Sequence, residues 1–505
     1  MTGHPPEGYL GTDGRITSGP APELVAAGYA LEMGDAAMLH DGLMLADLAH
    51  VIALREKDLI NAPTARALLG AVLERGSIPA GDFPYDVRLG DAYNSREREL
   101  ERRLGPDAGY VHLGRTRREA GRIAFRLALR DRIETLALAV GPLVTALADR
   151  AEECADATWA DVTYLQLAQP STFGHYLASF AEEGERHLPR LRAAHEWADV
   201  SPAGSGGVAG TRLGLDRARL AELLGFAAVG RNTRDTMWTI DGLIDAVAAA
   251  TQVAVTCDRL AEDLQIFASA GFGLVTVDAS LCRASVLMPQ KRNPYALSVI
   301  RAGAGDLAGR LSGTVTTART PSAATDNWLH SYGEVIAALE LATRLVELTA
   351  AVLRTLSINR ERLRASAADQ QALATDLADE LVLTAGMDYR SAYRVVGRAV
   401  AVALETGSRI TPESLASACR DVLGDDLTAA AAGFDWADID WAALADPDAI
   451  VATRREPGGC GPAAVREEMS DLRSRLDNDV RWVEARRSRA RDARDALMAR
   501  ARAVR

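Results

Sequence analysis

Lysine is nearly absent from this chain of 505 residues. Only Lys57 and Lys291 are lysines among the 57 basic side chains, and the others are arginines. Because a planar guanidinium does not replace a compact, strongly hydrated ammonium, a retained lysine is a candidate for chemistry. Lys291 lies between Pro289 and Pro294, two residues that disfavour helix. We therefore predict a loop here, which leaves Lys291 and its polar neighbours free to point at a ligand.

Cysteine and long apolar runs are also scarce. The five cysteines are odd in number, scattered and without a C-x-x-C pair, which argues against a disulfide framework or a zinc site. No window reaches the roughly 18 apolar residues of a membrane span, and the first residues lack a basic start before an apolar stretch. The net charge of -12 disfavours general nucleic-acid binding. We therefore expect a cytoplasmic protein with neither a membrane nor a nucleic-acid partner.

Helical periodicity is what the sequence has in abundance. From 233 to 270 only Gly242 interrupts a helical pattern. From 334 to 356 nothing interrupts it, and apolar residues recur there at helical spacing, namely Leu341, Leu345, Leu348 and Val352. Alternating β-branched runs are hard to find, so the pattern predicts an all-α fold.

The pattern of long helices also divides the chain. It begins near residue 120 and ends near residue 370, which predicts three domains. Residues 1–120 are an N-terminal helical domain, residues 121–370 a central domain of long helices, and residues 371–505 a C-terminal helical domain with an arginine-rich tail. We expect this tail to be a solvated helix.

Three separated segments are unusually polar and are candidates to meet at one site. They are residues 112–118, with three arginines and a threonine, residues 163–175, broken by proline and glycine, and residues 285–293. The arginines suit a bidentate grip on carboxylates, although a solvated helix start has the same composition. Residues 204–210 are rich in glycine, and no strand precedes them. A loop whose N–H groups cradle an anion therefore fits better than a dinucleotide site.

In order and spacing, these segments resemble the motifs of argininosuccinate lyase in the fumarase/aspartase superfamily. Thr163-Tyr-Leu-Gln-Leu-Ala-Gln-Pro-Ser-Thr-Phe-Gly-His175 is similar to the family's T-H-L-Q-x-A-Q-P-x-T-F-G-H. Ser285-Val-Leu-Met-Pro-Gln-Lys-Arg-Asn-Pro294 is similar to S-S-x-M-P-Q-K-x-N-P, and Gly114-Arg-Thr-Arg117 resembles G-R-S-R. The glycine-rich loop, Ala374-Thr-Asp-Leu-Ala-Asp379 and Pro457-Gly-Gly459 resemble further family segments.

The resemblance implies a three-domain fold of the fumarase/aspartase type, with a central long-helix bundle that forms the core of a homotetramer. Each active site then draws on three different subunits. The implied reaction is β-elimination on an N-substituted aspartate or succinate, which gives fumarate and an amine, or the reverse addition. The implied partner is a small dicarboxylate substrate, and neither a metal nor an organic cofactor is implied.

The resemblance also implies roles for particular residues. Ser285 takes the place of the catalytic base, while Lys291 and Asn293 stabilise the enolate that develops next to a carboxylate. Because a serine hydroxyl is a weak base, a nearby cation must favour its alkoxide, and Lys291 supplies one. The residues implied to bind substrate are Thr116, Arg117, Arg118, Thr163, Gln166, Asp91 and Met288.

Several positions depart from the family pattern. The histidine that donates a proton to the leaving group is Tyr164 here, and the glutamate that orients it is Ser298. A tyrosine is also a proton donor, so Tyr164 is the fourth predicted catalytic residue. In the part that holds the amine, Arg118 replaces an asparagine and Gly90-Asp91-Ala92-Tyr93 replaces Glu-Asp-x-His. We therefore predict a C–N lyase with another leaving group, such as an alkylamine, a diamine or a nitrogen oxyanion.

Two other interpretations remain open. The chain could be argininosuccinate lyase proper with a rearranged acid, in which His112, His175 or His330 replaces the lost histidine. It could also be a catalytically silent tetramer that serves structure or binding. The base, ammonium and amide retained in the Ser285 loop argue against a silent scaffold, which needs none of them.

Overall fold

The computed structural model describes residues 19–424, 434–436 and 439–504. Its N-terminal part is a set of helices packed around α3. The elements are α1 (Pro22–Leu24), α2 (Ala30–Gly34), α3 (Ala36–Glu56), α4 (Ala62–Gly76) and α5 (Ala92–Leu104), with a π-helical turn at Val25–Tyr29 and 3₁₀ turns at Val87–Leu89 and Gly105–His112. By length and composition α3 could cross a membrane, but most of it is buried inside the protein. It is therefore a core helix of this part of the fold.

The central bundle is built on four long helices, α6 (Arg117–Glu153), α11 (Asp241–Phe267), α12 (Tyr295–Ala318) and α14 (Tyr332–Thr355). α6 begins after Thr116, whose hydroxyl caps the helix by accepting the Glu119 N–H. The 37 residues of α6 make a rod of about 55 Å. The shorter helices around the bundle are α7 (Phe173–Glu185), α8 (His187–Ala198), α9 (Arg217–Leu223), α10 (Thr233–Trp238), α13 (Asp326–Leu329) and α15 (Arg360–Ala367).

α14 runs parallel to α6. Near the start of both helices, Phe125 stacks on Tyr332 with ring centroids 4.2 Å apart. Near the end of both helices, the Arg150 guanidinium donates to the Leu356 carbonyl at 2.7 Å. The two helices therefore share one direction along their whole length.

α12 runs in the opposite direction. Arg310, in its second half, pairs with Glu334 at the start of α14 at 2.6 Å. The first residue of α12, Tyr295, therefore lies toward the end of α6 that carries Glu153. This direction decides where the Ser285 loop lies, because that loop leads into α12.

In the described part of the chain, eight short strands pair into four two-stranded sheets. The pairs are β1 (Thr158–Thr163) with β2 (Gln166–Thr172), β3 (Val200–Ser201) with β4 (Ala228–Val229), β5 (Val275–Thr276) with β8 (Ser357–Ile358), and β6 (Arg283–Ala284) with β7 (Arg292–Asn293). β1–β2 and β6–β7 are antiparallel hairpins. The first follows α6 and the second leads into α12, so both lie at the same end of the bundle.

The C-terminal part contains α16 (Ala374–Ala385), α17 (Tyr389–Thr406), α18 (Pro412–Leu423), α19 (Trp441–Leu444), α20 (Pro447–Thr453) and α21 (Pro462–Val504). Buried apolar side chains form three clusters, one in the bundle, one around α3 and α4, and one among α16, α17 and α18. α21 contributes buried residues to the first two clusters, including Leu476 and Leu497. All five cysteines are free, as predicted.

The chain is mostly helical, as predicted, but the stretch 233–270 breaks at a different place from the predicted one. Thr239 and Ile240 separate α10 from α11, and Gly242 lies inside α11. A Cβ at Gly242 would come within 1.9 Å of the Trp197 ring. The glycine therefore permits close packing of α8 against α11 and does not end a helix.

Candidate active site

The first group of predicted site residues lies at the start of α6. Thr116 caps this helix, and its hydroxyl also donates to the Gly206 carbonyl at 3.2 Å. The Arg117 guanidinium donates to the Asp91 carboxylate at 2.8 Å. Arg118 donates to the Glu32 carboxylate at 2.6 Å. The predicted carboxylate-binding arginines are thus held at the helix start by acids from the N-terminal part.

The glycine-rich loop does cradle an anion, but the anion belongs to the protein. Gly204 and Gly206 donate their N–H groups to the two oxygens of Glu119 at 2.7 and 2.5 Å. Burial raises the pKa of this carboxyl to about 7, although the two N–H donors oppose that shift. The backbone N–H of Glu119 also donates to the Thr116 hydroxyl. The glycine-rich loop and the first group are therefore connected through Glu119.

The second group lies at the tip of the β1–β2 hairpin. Thr163 and Gln166 face each other as the last paired residues of the two strands. Tyr164 and Leu165 between them have φ angles of 55° and 59°, a left-handed pair of the kind found in tight hairpin turns. Because side chains with a Cβ rarely adopt this conformation, the turn is strained. It exposes 99% of Tyr164.

The third group lies on the β6–β7 hairpin. The Met288 N–H donates to the Ser285 hydroxyl at 3.0 Å, and the Lys291 N–H donates to the Met288 carbonyl at 3.0 Å. The Asn293 amide donates to the Arg283 carbonyl at 3.0 Å, across the two strands. A hydrogen-bond donor fixed on the Ser285 oxygen favours its alkoxide over the neutral hydroxyl. Residues 285–291 form a loop, as predicted, and this loop connects β6 to β7 and orients the serine.

The three groups do not meet within one chain. The first lies at the start of α6, whereas the other two lie at its far end, about 55 Å away along the helix axis. The β1–β2 hairpin extends only about 20 Å from Thr158 to its tip, at about 3.3 Å per residue. A single chain therefore holds the predicted site residues at two distant ends of the bundle.

The alternative histidines have other surroundings. His112 pairs with Glu97, and this contact raises its pKa against the lowering effect of burial. The His175 ring lies 3.1 Å from the Gly458 carbonyl, in the contact with the C-terminal part. His330 is exposed. Within the described residues, no group of three or more histidine, cysteine or acidic side chains has the arrangement of a metal site.

Sequence reasoning missed three residues of the first group's surroundings. Glu32, Asp35 and Tyr332 line a cavity together with Arg117 and Arg118. They come from α2, from the residue before α3 and from the start of α14. No local pattern links them to α6, because tertiary packing alone brings them there.

Comparison with known proteins decides the family. Residues 47–309 match the lyase family, and residues 371–434 match the argininosuccinate lyase C-terminal family. The chain is 33% identical to argininosuccinate lyase of Methanoculleus marisnigri over 461 residues, which is 91% of this chain and 92% of that protein. It is 34% identical to argininosuccinate lyase of Halobacterium salinarum, with 92% of each chain covered.

The chain belongs to the fumarase/aspartase superfamily of lyases. Within this superfamily it is argininosuccinate lyase-like, as predicted from the motifs. The structure resembles EDDS lyase in complex with formate, with a TM-score of 0.84, 27% identity and coverage of 98% of this chain and 97% of that one. An EDDS lyase variant with bound fumarate matches equally well. The fumarase/aspartase-like fold is thereby confirmed.

Proposed function

We propose that this lyase is a C–N lyase, which eliminates an amine or another nitrogen leaving group from an N-substituted aspartate or succinate to give fumarate, or catalyses the reverse addition. The β6–β7 hairpin carries the proposal, because it presents a hydroxyl, an ammonium and an amide together. Ser285, Lys291 and Asn293 supply these groups, and the Ser285 oxygen already accepts a backbone hydrogen bond.

The chemistry uses these groups as follows. The Ser285 oxygen removes a proton from the carbon next to the distal carboxylate of the substrate. The electron pair of that C–H bond enters the carboxylate as an enolate, which Lys291 and Asn293 stabilise. The pair then forms the double bond of fumarate, and the C–N bond breaks with its electrons on nitrogen. Tyr164 is the proton donor for a leaving nitrogen that needs one.

The succinyl half of the substrate binds at the start of α6. The Arg117 guanidinium lies beside Asp91, and its planar fork has the geometry that suits a carboxylate of the substrate. Thr116 lies next to it, and Thr163, Gln166 and Met288 approach from the hairpins of other subunits. Arg118 and Asp91 border the space for the leaving group.

A homotetramer is part of this proposal. The site needs both ends of α6, so subunits must associate antiparallel to bring one chain's Arg117 to another chain's hairpins. The exposed face of α12 supports such packing, because Gly305, Gly309 and Gly313 form a stripe on it where a neighbouring helix can approach closely. Exposed apolar side chains at the hairpin tip, Val286 and Leu287, also favour a partner.

The second candidate is argininosuccinate lyase proper. The identities of 33% and 34% to argininosuccinate lyases favour it. Tyr164 and Ser298, in place of the family's histidine and glutamate, oppose it. A silent structural or binding homologue is the third candidate, and the polar hairpin of the third group opposes that one.

The test follows the ultraviolet absorbance of fumarate. Purified protein is incubated with fumarate and a panel of amines, and with argininosuccinate in the other direction. The proposal expects fumarate to disappear with at least one amine, while Ser285→Ala abolishes the activity and keeps the oligomer seen by light scattering. The matched control is Ser280→Ala, which changes an exposed serine shortly before β6 and should keep activity. If argininosuccinate is cleaved to fumarate faster than any amine is added to fumarate, the second candidate is favoured. If no substrate reacts in either direction, the third is favoured.

A further inference from the structure

A cavity next to Arg117 has a charge distribution that selects among leaving groups. It has a volume of about 30 Å³, which is room for one ammonium-sized group, and lies between α2, α3, α5, α6 and α14. A substrate whose carboxylate binds Arg117 would extend the end of its nitrogen substituent into this space. The polar residues that line the cavity are Glu32, Asp35, Asp91, Arg117, Arg118 and Tyr332.

Both arginines of the cavity already have carboxylate partners. Arg117 pairs with Asp91 at 2.8 Å, and Arg118 pairs with Glu32 at 2.6 Å. Each pair is close to neutral, so the two guanidiniums do not give the cavity a positive charge. Asp35 is the third acid of the lining, and its ionisation makes the cavity net negative.

Asp35 has no partner among the residues that the structure describes. It occupies the N-cap position of α3, yet its side chain accepts no capping hydrogen bond. Its carboxyl lies over Gly333, where a Cβ would come within 2.6 Å of Oδ1. Burial, with further repulsion from Glu32 and Glu334, raises the pKa of this carboxyl to about 7. A cation placed beside Asp35 would relieve both effects.

Tyr332 provides a second, independent polar group. Only 8% of this residue is exposed, and its ring is fixed by stacking on Phe125. Its hydroxyl makes no hydrogen bond to the described residues, although a buried tyrosine normally finds a partner. Burial raises the pKa of the phenol, so the hydroxyl stays neutral and can accept an N–H.

We propose that the leaving amine carries a second cationic group, which binds between Asp35 and Tyr332. This inference rests on the proposed C–N lyase function and names its substrate class, a diamine or another amine with a distal ammonium. Asp35 is then the residue that determines specificity. A nitrogen oxyanion or an amine with a distal carboxylate meets the unpaired acid and is disfavoured.

The test compares three amines in the addition to fumarate. Putrescine has a distal ammonium, pentylamine has a methyl group at the same position, and γ-aminobutyrate has a carboxylate. We expect kcat/KM to be about 10- to 100-fold higher for putrescine than for pentylamine, as for a partly buried charge pair. Asp35→Asn should reduce this ratio to about one while activity with pentylamine persists, and Tyr332→Phe should reduce it less.

The matched control is Asp58→Asn. Asp58 is exposed and has a φ of 55°, which asparagine adopts readily, so this variant should keep the wild-type ratio. Equal kcat/KM for putrescine and pentylamine, or a preference that survives Asp35→Asn, would overturn the inference.

A binding measurement separates this inference from the proposed function. Calorimetric titration of the wild type with putrescine, without fumarate, should show binding that Asp35→Asn loses. If no amine reacts but this binding is seen, the C–N lyase proposal fails and the cation site stands. If amines react but putrescine does not bind more tightly than pentylamine, the cation site fails and the lyase proposal stands.

Discussion

Lys291 is the residue on which the proposed elimination depends most directly, because it puts a compact cation on the hairpin that carries Ser285. Lys291→Arg keeps the charge but spreads it over a planar group, which does not replace a compact ammonium at a developing enolate. We expect kcat to fall about 100-fold or more, with the oligomer intact. Steady-state kinetics of fumarate consumption measure this effect.

The chain offers a control for that substitution in its only other lysine. Lys57 is exposed at the end of α3, so Lys57→Arg should retain full activity. If both variants were equally active, the ammonium of Lys291 would have no special role. The scarcity of lysine identified Lys291 as a candidate from the sequence alone. Asp35 and Tyr332 could not be predicted in this way, because no local sequence pattern distinguishes them and only the fold brings them near Arg117.

Glu119 gives the folded chain a pH-dependent stability. Burial raises the pKa of its carboxyl from 4.5 to about 7. An acid whose pKa is raised by folding binds its proton more tightly in the folded state, so the stabilisation is complete below the unfolded pKa and is lost as the pH rises through about 7. The loss amounts to about 3 kcal/mol in the free energy of unfolding.

Urea unfolding at a series of pH values measures this loss. Glu119→Gln should show a flatter profile than the wild type between about pH 5 and about pH 8, because the titrating group is gone. Glu153→Gln, at the exposed end of the same helix, should follow the wild type. Parallel profiles for the wild type and Glu119→Gln would contradict the prediction.

Buried arginines of α6 bind neighbouring segments through hydrogen bonds and stacking on aromatic rings. Arg126 is 1% exposed, stacks on Trp197 with its guanidinium carbon 4.1 Å from the ring centroid, and donates to the carbonyls of Trp197 and Val200. Arg126→Lys removes the planar stack and leaves at least one carbonyl without its donor. We expect the free energy of unfolding to fall by about 2–4 kcal/mol.

The control for Arg126 is another arginine that stacks on a tryptophan. Arg192 lies over Trp482 with 46% of its side chain exposed. Arg192→Lys should cost less than about 0.5 kcal/mol, because exposed pairs contribute little. Chemical denaturation of both variants gives the comparison, and equal losses would show that burial is not the cause.

Arg454 connects the C-terminal part to the hairpin that carries Tyr164. Its guanidinium donates to the Asp376 carboxylate at 2.6 Å and to the Pro170 carbonyl. Arg454→Ala frees this end of β2, so we expect faster amide hydrogen exchange in residues 158–172 and a lower kcat at an unchanged oligomeric state. Arg455→Ala, which removes a bond to the local Ala452 carbonyl, should change neither. Unchanged exchange in Arg454→Ala would contradict this role.

Helices were easier to predict from the sequence than hairpins. The long helices carry apolar stripes over many turns, so their existence followed from periodicity, although the break at Thr239 did not. The β1–β2 and β6–β7 hairpins are short, polar and partly exposed. They therefore lack the alternating apolar pattern that indicates a strand. Their motifs were recognised as similar to those of a family, but their geometry was not predicted.

The length of α6 separates the two halves of the proposed site, so the proposed activity requires subunits to associate. A mixture of two inactive variants tests this. Arg117→Ala and Ser285→Ala each damage every site in a pure oligomer. After joint unfolding and refolding, mixed oligomers should contain some sites with both residues intact, and fumarate turnover should reappear. If mixed oligomers are shown to form but fumarate turnover does not return, the whole site would lie within one chain.

The path of α21 has a consequence for biosynthesis. Leu497 and Ala501 belong to the same apolar cluster as Leu48 and Leu68, from the first helices of the chain. α3 and α4 therefore emerge from the ribosome long before the α21 residues that cover their apolar surface. A nascent chain of this protein exposes that surface until α21 is made, and a ribosome that stalls before α21 releases a product that is prone to aggregation and to chaperone binding.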